Sequence, residues 1–124
     1  MAGHGKKNGR FSERARGEDG RLRPVLLDRL WRGMIEAPGA TDATWRRDVG
    51  DAVHALRLGE EATLPEPWSP YLTKVALHAY RVVDEDFDAL RAAGMREDAI
   101  YEATAVAATA AAMAGLCVML EAMV

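Results

Sequence analysis

The chain has 124 residues, 49% of them hydrophobic, 6% aromatic and 28% charged, with a formal net charge of −3 and one cysteine. That length suits one domain with its own core, and a lone Cys117 excludes an internal disulfide, a CxxC redox pair and a multi-cysteine zinc site. The mild acidic excess argues against nucleic acid as the main partner, because phosphate binding needs clustered positive charge.

Residues 1–21 carry glycine and charge with a single aromatic, Phe11, and are expected to form a flexible arm, since they bury too little to offset ordering entropy. Lys6, Lys7, Arg10, Arg14 and Arg16 are diluted there by Glu13, Glu18 and Asp19, the pattern of a solvated tail. No apolar run follows the basic residues, so a secretory leader is not expected. Residues 22–124 are expected to form a single all-α domain, because most of the hydrophobic content is alanine. The alanine and arginine usage fits a GC-rich bacterial coding background, and the reducing cytoplasm is the expected compartment.

A first helix is predicted from Pro24 through Val25, Leu26, Leu30 and Met34, with Asp28 placed to pair with Arg32 and Pro38-Gly39 as its stop. Thr41 or Asp42 can cap a second helix, whose Trp45, Val49, Val53 and Leu56 make one apolar stripe ending at Gly59. His54 lies beside that stripe as a packed or surface histidine. Three prolines make EEATLPEPWSP a loop, with Trp68 as a plug over a core edge. A third helix is predicted from Tyr71 to Ala93 with Gly94 as its left-handed stop, and a fourth from about Glu97 to the end.

The fourth helix carries no charge between Glu102 and Glu121, which raises the question of a membrane span. Its Ala and Thr content favours a central helix packed on every side instead. Thr104, Ala108, Ala111, Ala112 and Gly115 would let other helices come close, so a homo-oligomer packed through this helix is expected, with no membrane partner.

The third helix holds the candidate chemistry. At about 100° per residue Leu72, Val75, Ala79, Val83 and Leu90 share one face, and Asp86 falls in the middle of it. A carboxylate on a core-facing stripe must be paired, neutral, or facing a polar pocket. His78 and Tyr80 flank the stripe, as interface residues with satisfied polar tips or as catalytic groups. His78 with Asp84 or Glu85 is a weaker metal-site alternative, and no metal or cofactor is expected. Cys117 is expected to be a buried inert thiol.

The run DALRAAGMREDAIYEATAVAA, a helix ending in glycine, then an acidic helix start, Ile-x-Glu and a small-residue helix, resembles the carboxymuconolactone decarboxylase and alkyl hydroperoxidase D superfamily. The resemblance covers the last half of the chain and implies an all-α, AhpD-like homo-oligomeric bundle. Anchored on Gly94, the cysteines of the peroxidase motif fall on Ala79 and Val82, so thiol-dependent peroxide reduction is not expected. The histidine that follows them falls on Asp86, and the preceding glutamate falls near Glu66 or Pro67. The resemblance therefore implies non-redox acid/base chemistry on a small acid, decarboxylation or isomerisation, with Asp86 as proton handler and His78, Tyr80 and Glu66 assisting. An arginine such as Arg81 or Arg91 would clamp the acid. The alternative is a non-catalytic oligomeric scaffold or accessory protein of the same fold.

Overall fold

The structure, a computed structural model, describes residues 14–16 and 22–123, with side chains from Val25 onward. The fold class is all-α, as composition predicts. Of the expected arm, Arg14–Arg16 (β1) pairs antiparallel with Leu22–Pro24 (β2), in register Arg14 to Pro24 and Arg16 to Leu22. The rest of residues 1–21 lies outside the described residues. This three-residue ribbon is too short to leave an alternating pattern in the sequence.

Helix α1 (Val25–Glu36) follows β2 directly and buries Trp31 and Ile35. The expected i,i+4 pair forms on it, with Arg32 Nη2 2.7 Å from the Asp28 carboxylate. Helix α2 (Ala43–Arg57) is capped by Asp42, whose carboxylate accepts from the Thr44 and Trp45 N–H groups. It buries Val49 and Val53 on the predicted stripe, and Gly59 follows its end at φ +84°. Trp68 is buried against Trp45 with ring centroids 5.3 Å apart, closing the core edge as its loop position suggests.

The single third helix is corrected to two. Helix α3 spans Ser69–Leu77, a 3₁₀ turn follows at Ala79–Arg81, and α4 spans Asp84–Ala92. His78 leaves helical geometry at φ −145°, and Val82 and Val83 are extended. Two consecutive β-branched residues followed by Asp84, Glu85 and Asp86 in one first turn are a helix start signal, and here it prevails over continuous periodicity. Gly94, at φ +92°, then turns the chain into α5 (Glu97–Met123), where a side chain would be strained.

Helix α5 is the spine of the fold and packs mainly on α2 and α3. Its buried face consists of Ile100, Ala103, Val106, Ala107, Ala110, Met113, Ala114, Cys117 and Leu120. The expectation of neighbours on every side is met on this face alone within one chain. Tyr101, Ala108, Ala112, Met119 and Met123 lie within about 60° of one another on the opposite side and are exposed.

Candidate functional site

The helix break gives Asp86 a role that continuous periodicity hides. It is the third residue of α4, and its Oδ2 accepts the Val83 N–H at 2.8 Å while its own N–H donates to the Val83 carbonyl at 3.0 Å. Lys74 on α3 donates to both carboxylate oxygens, at 2.9 and 3.1 Å. The Lys74 ammonium first, and the Val83 N–H second, hold the Asp86 carboxyl below the usual carboxylate range against the opposing effect of desolvation. An anion so held closes α4 against α3 and is poorly matched to proton transfer at neutral pH.

The other three candidates do not gather around it. His78 and Tyr80 are neighbours, their ring centroids 6.0 Å apart and edge-on, and both are exposed. The Arg81 guanidinium carbon lies 5.9 Å from the Tyr80 ring centroid. Glu66 is exposed in the loop before α3. Among the described residues, no side-chain hydrogen bond or ion pair joins Glu66, His78 or Tyr80 to Asp86. Nor do three His, Cys, Asp or Glu side chains converge anywhere among them as a metal-binding group, so His78 with Asp84 or Glu85 is not the core of one.

Tyr71 secures α3 from the other side. Thr104 Oγ1 gives its proton to the Ile100 carbonyl at 2.7 Å, so the Tyr71 hydroxyl is the donor in its 2.6 Å contact with Thr104. Burial pushes the Tyr71 phenol up, and its ring packs on Phe87 of α4 at 5.4 Å.

A denser polar cluster, centred on Arg46 and Glu102, escaped the sequence reading. Arg46 is buried on α2, and its guanidinium donates to the Ile35 and Ala37 carbonyls at the end of α1, to the Thr41 carbonyl and hydroxyl, and to Glu102 Oε1. Glu102 on α5 also accepts the Ala40 and Thr41 N–H groups and the Thr41 hydroxyl. The Ala40 N–H is the largest cause, and the Thr41 hydroxyl the next, of a Glu102 carboxyl held below its ordinary range. A Cβ on Gly39 would run into that carboxylate. The guanidinium's donors are taken within the protein and the cluster joins α1, α2 and α5, while Glu102 keeps an edge open to a cavity of about 240 Å³ that Met34 and Tyr101 also line. Its signal was present: Arg46 precedes Val49 and Val53 by three and seven residues, which places it on the core stripe.

Two concavities flank the open stripe of α5. A groove of about 410 Å³ lies between α1 and α5, lined by Leu27, Leu30, Trp31, Met34, Ala112 and Leu116 among others. A second, of about 330 Å³, lies on the α3 side. Both are bordered by Ala108 and Ala112.

The chain matches no family model, no curated protein and no solved structure. By length and composition α5 is also long and apolar enough to cross a membrane, with 44% of its most apolar window buried inside the protein.

Proposed function

We propose that the chain is a non-catalytic helical module that assembles with copies of itself through the open face of α5. The observation that carries this reading is the uncharged stripe Tyr101, Ala108, Ala112, Met119 and Met123, lying opposite the buried face of the same helix. Small residues occupy its middle, where two helices can approach closely, and bulky ones its ends. Exposed Leu26 and Leu30 on α1, 61% and 60% accessible, extend the apolar area beside it.

A second copy fits better than an unrelated partner. With no charge between Glu102 and Glu121, the stripe can face itself across a twofold axis without like charges meeting. An antiparallel pair centred near Ala112 would set Tyr101 of each copy beside the methionines at the other's C-terminal end and oppose the two helix dipoles. A cytoplasmic setting belongs to the same reading, because α5 packs its other face on α2 and α3. The resemblance to the carboxymuconolactone decarboxylase and alkyl hydroperoxidase D superfamily is retained as a fold expectation, supported by the α4–Gly94–α5 turn. Its acid/base chemistry is not part of the proposal, since Asp86 is engaged by Lys74 and Val83.

Sedimentation velocity over a range of concentrations tests the reading. The wild type should sediment as a dimer or larger. Ala112→Glu, placed where the single chain is exposed, should yield a monomer with an unchanged helical circular-dichroism spectrum. A wild type that stays monomeric at high micromolar concentration, or that partitions into neutral lipid vesicles instead, would overturn it.

A further inference from the structure

The groove on the α3 side of α5 has a chemistry of its own. Val75 and Ala76 of α3 and Ala111 of α5 form its apolar wall, while Arg57 at the end of α2 and Tyr80 of the 3₁₀ turn line it with polar groups. Its volume of about 330 Å³ lies at the small end of the range for ligand pockets. Tyr80 is 81% exposed and its hydroxyl has no hydrogen-bond partner among the described residues. Arg57, which lines the groove, and Arg81, beside the Tyr80 ring, have no carboxylate partner among those residues. Arg29 on α1 is likewise without one, whereas Arg32, Arg46, Arg47, Arg91 and Arg96 are each matched to an Asp or Glu. One unneutralised guanidinium, Arg57, and the Tyr80 phenol therefore line an apolar trough, with Arg81 beside the Tyr80 ring.

From this we infer that the groove binds an amphiphilic monocarboxylate, its apolar body along Val75, Ala76 and Ala111 and its carboxylate at Arg57. Guanidinium pairs with carboxylate in a two-pronged geometry, and the Tyr80 hydroxyl supplies a further donor for the same oxygens. The bound anion would neutralise the cationic edge, which nothing in the described chain does. The groove shares its Ala108 and Ala112 border with the proposed self-association face, while Arg57, Val75, Ala76 and Tyr80 lie outside that stripe, so titration at protein concentrations below and above assembly distinguishes failure of the one from failure of the other.

Calorimetric titration of the full chain with decanoate, and with decanol as the uncharged control, tests it. Wild type should take up one decanoate per chain saturably and bind decanol at least tenfold more weakly. Arg57→Gln, at an exposed position, should weaken decanoate at least tenfold without changing the helical spectrum. Ala79→Trp, which retains the charge and fills the trough edge, should abolish binding. Equal affinity for decanol, an Arg57→Gln variant that binds as wild type does, or no saturable uptake of decanoate would each overturn the inference.

Discussion

Arg46 and Glu102 meet 56 residues apart in sequence, with Nη1 and Oε1 3.4 Å apart, where α1 ends, α2 begins and α5 passes beneath them. The guanidinium side chain is 4% exposed and the carboxylate 24%. The first therefore depends on protein acceptors for its solvation, and the second keeps a path to water. The pair holds the loop between α1 and α2 onto α5.

Replacing Arg46 with Met should cost about 1–3 kcal/mol, the range for leaving buried acceptors unsatisfied, since Glu102 keeps its other donors and a path to water. The Ile35 and Ala37 carbonyls would lose their donor at the same time. Urea denaturation measures this, and a loss below about 1 kcal/mol would show that the loop is held by other contacts.

Acid should loosen the fold through two carboxylates. Glu102 and Asp86 both have folded-state pKa values below their unfolded ones, which lie near about 4. Their stabilisation is complete above the unfolded pKa and is lost as pH falls through the lower folded pKa. Melting temperature should therefore decline below about pH 5, and less steeply in Glu102→Gln. Parallel decline in wild type and variant would remove Glu102 from the account.

Asp86 and Lys74 should be coupled energetically rather than catalytically. Asp86→Ala should destabilise by about 1 kcal/mol, as loss of a helix N-terminal acceptor does, with Lys74→Met costing less. A double-mutant cycle reads the pair directly, and a coupling energy of zero would mean that the contact contributes nothing.

Tyr71→Phe should cost about 1 kcal/mol, the net value of one buried hydrogen bond. Thr104 retains its own bond to Ile100 in that variant, so no donor is stranded. Thermal unfolding of Tyr71→Phe beside Thr104→Ala separates the hydroxyl pair from the packing of the ring on Phe87.

Gly94→Ala should destabilise by about 1 kcal/mol, because φ of +92° lies where a Cβ is strained although no neighbour occupies the space. A neutral result in chemical denaturation would mean that the turn relaxes without cost.

Features that depend on near neighbours along the chain are legible in the residues themselves. The stretches that became α1, α2 and α5, the Asp42 cap, the Asp28–Arg32 pair and the Gly94 stop all follow from residues within a turn or two of one another. The error in the third helix belongs at this level too, since Val82, Val83 and three acids spell a new helix start that an unbroken hydrophobic count passes over. Tertiary structure alone decided which partner each charge would find. Lys74 reaches Asp86 only because the chain folds back between them, and Arg46 reaches the end of α1 and Glu102 only because three helices converge there. It also decided which side of α5 stays open. A helix apolar all round has no preferred face of its own, and one is chosen when α2 and α3 bury Ala103, Ala107 and Ala110 and leave Ala108 and Ala112 uncovered.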